Sequence, residues 1–505
     1  MPKYNQVRCN TRAPSICLAI LAIIAMVTTA NGQVSYRKVM RSGEPAPDTT
    51  GIFDTQQLSY PSIDEAGRVS FSCYLKHGVG GVGGMNQWTL YSEDSLGDLH
   101  LVARQGDTTP GNINFHFDAN SFTTQHKNPP GQVAFYGVGA GVLSAIAGVW
   151  AQNTAGSVVQ VAVNGTPVSD PPGTEFSGVG TPAMNTSADI VFQGTLKQGV
   201  GGVTQFNDLG LWCRTAGGPL RLVAREGDTL PNTPPGIPPG SLQYGQSGFS
   251  FSNTPLINAG GQVAFTVYLN GVGPALMAES HTMVPPRVIA YAGQPAPGLG
   301  NVQFLNFTSL SFNNDGNAAF SATLPGNTVT TENDESIWVE DGGALHLIAR
   351  EGDAAPGGGH YGFLYPPALS GGGEVAFGSF LKQGQDGVDF TNDFAIYKYT
   401  VPAGNIVLIM RDGMPAPGMP AGVTFNAPVF NPSINDAGQV VFYAGLTGAP
   451  VFQFNGDSVW ATSLTGELTP IIVRGQSIEI SPGDFRTVNN CGSYLVSNAS
   501  AAQTG

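Results

Sequence analysis

The chain has 505 residues, with 21 Lys and Arg against 35 Asp and Glu and a formal charge of −14 at pH 7. An acidic surface with few basic residues disfavours nucleic acid and anionic membranes as partners. The 69 Gly and 37 Pro argue against long helices.

Lys3, Arg8 and Arg12 precede an apolar run from Ile16 to Val27, and small residues follow through Ala30 and Gly32. That layout predicts a signal peptide over 1–32, too short in its apolar part to span a bilayer comfortably. A retained N-terminal anchor is the competing reading. Neither Cys9 nor Cys17 offers a lipobox. No later segment reads as an apolar membrane helix, so the mature chain is expected to be secreted or held at the cell surface. Without the leader, 18 Lys and Arg face 35 Asp and Glu, a formal charge of −17. Cys73, Cys213 and Cys491 then remain, an odd number in different repeats, which argues against a disulfide framework.

Three landmarks then recur in fixed order. The first is a strand ending in a turn, as in Leu99 to Asp107, Leu220 to Asp228 and Leu345 to Asp353, with looser copies ending at Gly43, Gly165, Gly293, Gly413 and Gly475. The second is an Asn/Asp-x-x-Gly-x-x-x-Phe phrase seen seven times, from Phe71 through Phe265 to Phe442. The third is a short apolar strand carrying Trp88, Trp150, Trp212, Trp338, Tyr397 or Trp460, degenerate near Leu276. Between Gly43 and Gly475 the period averages about 62 residues, a length that with strand-type units means a propeller or an array.

Local chemistry accounts for each landmark. In Gln262-Val263-Ala264-Phe265, Val and Phe fall on one strand face and the small Ala on the other. Asn258-Ala259-Gly260-Gly261 ahead of it can form a tight turn through the Asn side chain and a Gly at positive φ. Links such as Glu44-Pro45-Ala46-Pro47 and Met414 to Gly418 cannot donate ladder hydrogen bonds and carry the chain to the next sheet. Four antiparallel strands per unit predict an all-β fold, a β-propeller of four-stranded blades over 33–475. A β-solenoid is the competitor, though its repeats are usually shorter.

The first-landmark strand occurs eight times, from Tyr36–Arg41 to Leu468–Arg474, against seven for the others. Either the N-terminal copy closes the ring like a clasp and Asp484 to Val488 opens a truncated eighth unit, or 476–505 is a loose tail on a seven-blade ring. Both readings stay open on sequence.

The Asn258 to Phe265 phrase, together with Arg-Glu-Gly-Asp-x-x-Pro-type segments at Arg225 and Arg350, resembles the NxxGxxAF tandem-repeat proteins of bacteria. The hairpin, with Pro61 and Pro255 three residues before Asp64 and Asn258, also resembles that of TolB-type propellers. The resemblance implies an exported, surface-associated repeat protein with no established activity. No Pro-Glu-Pro anchor closes this chain, which departs from the family pattern.

No catalytic or cofactor-binding residue is nominated. Arg41, Arg104, Arg225, Arg350, Arg411 and Arg474 recur with the scaffold, several of them three residues before an acid such as Asp107, Asp228 or Asp353. An Arg–carboxylate pair stitching each blade to its turn is therefore expected, rather than a ring for sugar acids. The acidic, Asn-rich loops at Asn207-Asp208, Glu332 to Glu335, Asp386 to Asp393 and Asn455 to Asp457 carry oxygen donors suited to Ca²⁺, but none has an EF-hand or nonapeptide spacing. Turn capping is the plainer reading, and a metal site is left undetermined. The seven His form no HExxH, no Gly-x-Ser-x-Gly is present, and Gly-Val-Gly-Gly near 78–84 precedes no helix.

Function should lie where repeats differ: unit two lacks the Arg at Asn164, the link through Pro231 to Gly248 is swollen beside Tyr244, Phe249 and Phe251, and unit six opens with His360 to Tyr365. Such aromatics stack on sugars, dock a protein, or fill blade interfaces. Two functions remain: a non-catalytic exported interaction module for a glycan or protein, or an extracellular polysaccharide hydrolase or lyase. The second needs a converging carboxylate pair, and the sequence nominates none.

Overall fold

The structure is a computed structural model. It describes residues 36–488 except 65–66, 112–113, 119–120, 123–124, 129–130, 142–144, 235–236, 238–239, 246–253, 281–284, 327–328, 402–403, 427–431 and 449–455. The signal segment, Phe249, Phe251, Asn455 and Cys491 lie outside the described residues.

Seven sheets follow one another, each with four antiparallel strand positions in sequence order, and among the described residues there is no helix. This is a seven-bladed β-propeller. Blade 5 shows the plan: Asn306–Phe312, Ala318–Thr323, Glu335–Asp341 and Ala344–Arg350 pair in that order. First strands bend. Blade 5 has a register shift between Phe307 and Ser309, and in blade 6 the strand splits into Tyr361–Leu364 and Ala368–Leu369. Successive first strands touch one another around the ring, from Gln125–Lys127 through Ala183–Met184 and Leu256–Ile257 to Ser433–Ile434, so they line the axis.

The alternation expected at Val263-Ala264-Phe265 is present. Val263 and Phe265 join the core between blades 3 and 4, while Ala264 faces Phe304, Phe307 and Trp338 in the core between blades 4 and 5. A small side chain there lets the next blade's aromatics close in.

Each blade opens, at or shortly before its first strand, with a residue whose carbonyl takes the N–H of the landmark Gly, as Phe117 does from Gly106 at 2.9 Å and Phe304 from Gly293 at 2.8 Å. That residue meets the third-strand aromatic edge to face: Phe117 with Trp150 at 5.1 Å, Phe304 with Trp338 at 5.0 Å, Phe425 with Trp460 at 4.8 Å. Register corrects two landmarks. Opposite Phe71 stands Tyr91, not Trp88, which pairs with Tyr74; opposite Phe265 stands Met277, not Leu276. In blade 4 Leu230 is buried where Ala296 and Ala416 lie in other blades, and its bulk offsets the missing indole.

The turn between first and second strands uses one device throughout. Asp64, Asn128, Asn185, Asn258, Asn313 and Asn435 each accept the N–H four residues on through Oδ1 at 2.8–3.0 Å; Ser370 Oγ does so in blade 6 at 2.9 Å. In blade 3 Ala188, at φ +63°, stands where other turns have Gly.

One expected strand is absent. Tyr36–Arg41 belongs to no sheet among the described residues, although Ser477–Ser481 and Asp484–Thr487 form a two-stranded hairpin after blade 7. The segment 36–41 adds no strand to a sheet among the described residues. Its side chains still tie the chain ends together: Tyr36 donates to the Ile471 carbonyl, Gln476 Nε2 donates to Tyr36 at 3.1 Å, and Arg41 meets Asp484 at 3.2 Å.

Candidate functional site: the link face of the ring

Strand direction gives the ring two unlike faces. One carries the Asn/Asp turns and the tight turns between third and fourth strands. The other carries the interblade links and the longer loops between second and third strands.

The expected Arg–carboxylate stitch is not what forms. Arg104, Arg225, Arg350 and Arg411 each donate Nε to a backbone carbonyl in the loop between second and third strands: Asn86, Asn207 (2.7 Å), Asn333 (2.9 Å) and Asn392 (2.7 Å) respectively. Asp107 instead accepts the backbone N–H of Arg104 at 2.8 Å. The guanidinium reaches from the end of the fourth strand to the loop that leads into the third, whereas Asp107 is spent closing its own turn. Arg41 and Arg474 do face acids, Asp484 at 3.2 Å and Asp457 at 3.7 Å.

The Asn-rich loops are capped turns. Oδ1 of Asn86, Asn207, Asn333 and Asn392 accepts the N–H three residues back at 2.7–3.0 Å. Those oxygens are therefore engaged before any cation arrives. Among the described residues no group of three His, Cys, Asp or Glu is placed to hold a metal. His116 and His360 donate Nδ1 to the carbonyls of Gly106 and Gly352 at 3.0 and 2.9 Å, another element repeated with the scaffold.

Glu226 is buried beside Asp208, and burial first, then that neighbour, pushes its carboxyl up to about 7. Its Oε2 accepts the Leu209 N–H at 3.4 Å, as Gln105 Oε1 accepts that of Trp88 in blade 1. In blade 1 an amide makes the same contact, so this hydrogen bond recurs with the scaffold.

The aromatics singled out by sequence divide. Tyr244 and Tyr361 are buried in interblade cores, Tyr361 edge-on to Tyr397 at 5.4 Å. Phe363 is exposed, packed edge-on to Tyr365 at 5.0 Å. Leu305 and Tyr268 are exposed on the two preceding blades, and the Tyr268 carbonyl takes the Gly245 N–H at 2.7 Å at the start of the first-strand region of blade 4. Blades 4, 5 and 6 thus present one large apolar side chain each near the link-face end of their first or second strands.

Three further tips were missed in sequence. Lys76 to Asn86, Lys197 to Asn207 and Lys382 to Asn392 share a Lys-x-Gly-x-x-Gly-Val pattern, and Met85, Phe206 and Phe390 crown them. The six side chains are 42–79% exposed. The signal was an apolar residue one or two positions before each loop Asn.

Also missed were the interblade clamps. Arg221 grips Glu279 through both nitrogens at 2.6 and 2.8 Å, and Arg287 grips Glu340 at 2.6 and 2.9 Å. Each Glu lies two residues after the third-strand landmark, a spacing visible in sequence. A cavity of about 440 Å³ opens beside the Arg221–Glu279 pair, reaching Asp228, Thr229 and Pro231.

Seven successive four-stranded blades with a decorated link face define a repeat-built β-propeller. The chain belongs to the family described as a family of unknown function, DUF7453, which matches residues 24–179, 165–283, 247–365 and 358–505. No curated protein matches. Among solved structures it is similar to a prolyl endopeptidase (11% identity, 82% of this chain and 49% of that one, TM-score 0.42) and to the propeller domain of the Trilobed protease from Pyrococcus furiosus (10%, 82% and 97%, 0.39). It is also similar to a periplasmic gluconolactonase from Pseudomonas aeruginosa (13%, 80% and 96%, 0.31). The chain spans about half the length of the prolyl endopeptidase and 31% of the tricorn protease it also matches. Among the described residues no helix is long and apolar enough to cross a membrane.

Proposed function

We propose that this chain is an exported, non-catalytic interaction module whose link face takes an extracellular glycan or protein. The observation that carries it is the set of apolar side chains left exposed there, Tyr268, Leu305 and Phe363 on consecutive blades with Met85, Phe206 and Phe390 on repeated loop tips. Rings at the mouth of a rigid ring stack on sugar faces or enter a partner's apolar pockets. The leader-like N-terminus and the resemblance to NxxGxxAF surface proteins support an extracellular setting.

A glycan and protein array probed with residues 33–505, with and without Ca²⁺, tests this. Retained ligand that is lost in Phe363→Ala, with the melting midpoint unchanged, supports the link face. Loss with chelator would add the acidic loops as a calcium site. Release of oligosaccharide from a bound polysaccharide would replace this reading with that of a hydrolase or lyase.

A further inference from the structure

Blade 4 departs from the repeat in two places, and both border the cavity beside Arg221 and Glu279. Its opening link is long: Gly227 closes on the Tyr244 carbonyl, whereas Gly106 closes on Phe117 and Gly293 on Phe304. The turn between its third and fourth strands, from Ala278 to Arg287, is longer than that of any other blade. The link brings Asp228, Thr229 and Pro231 to the cavity, and the turn brings Glu279, Pro285 and Pro286. At about 440 Å³ the space falls within the roughly 300–1,000 Å³ of small-molecule sites.

Two polar side chains of the wall hold hydrogen-bonding capacity that the scaffold does not use. Arg37 and Arg287, the like clamps of other blades, each grip a Glu and also donate Nη2 to a turn carbonyl of the next blade, Gly67 at 2.6 Å and Gly316 at 3.0 Å. Arg221 grips Glu279 in the same way but makes no such second bond among the described residues, so an N–H of Nη2 is uncommitted. Asp107 closes its own turn through the Arg104 N–H, whereas the Asp228 carboxylate takes no hydrogen bond among the described residues.

The charges around the cavity select a neutral ligand. Glu279 already balances Arg221 and would repel a second anion there. Asp228 feels Arg225 and Asp170, which are of opposite sign. The remaining wall favours hydroxyls over a peptide main chain, because Pro231, Pro285 and Pro286 have no backbone N–H with which to build a ladder.

We propose that this cavity is a saccharide site that takes one or two neutral sugar rings, with Arg221 donating to a sugar oxygen and Asp228 accepting from sugar hydroxyls. The C–H faces of the rings then rest on Val223 and the three prolines, the usual division of a small-molecule site into apolar walls and a few placed polar groups. The site shares no residue with the exposed apolar set of the link face.

The test is saturation-transfer NMR of the full chain with maltose, cellobiose, lactose and trehalose in turn, followed by amide exchange with each sugar that binds. At least one should bind and slow the Arg221–Ala224 amides severalfold. Asp228→Ala should weaken it about tenfold through the lost carboxylate bonds. Thr229→Phe, which puts bulk at the cavity, should abolish it. Both residues are exposed, so the variants should keep the parental melting midpoint, and Leu464→Ala on an exposed turn of blade 7 should bind as the parent does. Binding of none of the four sugars, or binding that both cavity variants leave intact, would overturn the proposal. So would slowing of the same amides by triglycine and by no sugar, which would make the site a peptide site.

Discussion

The side-chain amide of Asn258 donates to the backbone carbonyl of Asn313 in the next blade, 3.0 Å away, and is the middle link of a chain. Asn185 donates to Asn258 at 2.9 Å, and Asn313 to Ser370 at 3.1 Å. Each Asn thus closes its own turn through Oδ1 and ties its blade to the next through Nδ2. Asn258→Ala should lower stability by about 2 kcal/mol, since a buried carbonyl and a turn N–H both lose partners. Asn258→Ser keeps the acceptor, as Ser370 does natively, and should cost about half as much. Urea melts decide it; an Ala variant with the parental midpoint would sink the linking role.

The Arg221–Glu279 pair predicts an asymmetry between its partners. Glu279 has 1% side-chain exposure and also accepts the Val263 N–H at 3.0 Å. Arg221→Ala leaves that carboxylate buried without its cation and should cost ~3 kcal/mol. Replacing both residues with Met and Leu should cost less than the single change, because no buried charge is stranded. Chemical denaturation of the three proteins checks the order.

Glu226 gives a pH dependence with a definite sign. Its folded-state carboxyl is raised to about 7 from the ordinary 4.5, so the folded chain binds the extra proton between those values. Stability should therefore fall as pH rises through that window, with the whole cost present above it, on the order of 1–3 kcal/mol. Glu226→Gln should flatten that slope and melt higher at pH 8. An unchanged slope between pH 5 and 8 would place the titrating group elsewhere.

Two adjacent glycines separate backbone strain from collision. Gly201 and Gly202 both have positive φ, +61° and +79°, but a Cβ on Gly201 would sit 2.4 Å from the Gly173 carbonyl oxygen while one on Gly202 meets nothing within 4 Å. Gly202→Ala should cost about 1 kcal/mol, from the left-handed backbone alone. Gly201→Ala should cost ~3 kcal/mol or unfold blade 3, because the link at Gly173 must move. Equal midpoints for the two variants would refute the contact.

Much of the architecture was legible because it is local and repeated. The Asn side chain reaching four residues forward, the Gly at positive φ and the Val-Ala-Phe alternation each act within one turn or one strand, and their recurrence from blade to blade makes them plain. The Arg partners were misjudged for the opposite reason. Asp107 is three residues from Arg104 in sequence, but the guanidinium reaches the loop before the paired third strand, at Asn86, 18 residues back. Trp88 was taken for the landmark because Trp recurs in other units, and pairing between strands selected Tyr91 instead. Met85, Phe206 and Phe390 drew no notice, since an apolar residue in a Gly-rich loop looks the same whether it is buried or bare.

The sequence by itself determined the repeat, the strand order within each blade and the turn chemistry, because these depend on residues a few positions apart. Only the tertiary structure decided which blade each arginine grips, which aromatics stay on the surface, and that Tyr36–Arg41 comes to lie beside Asp484. Those outcomes depend on how the ring brings residues 443 positions apart to within one ion pair, a distance set by closure of the whole circle rather than by any local preference.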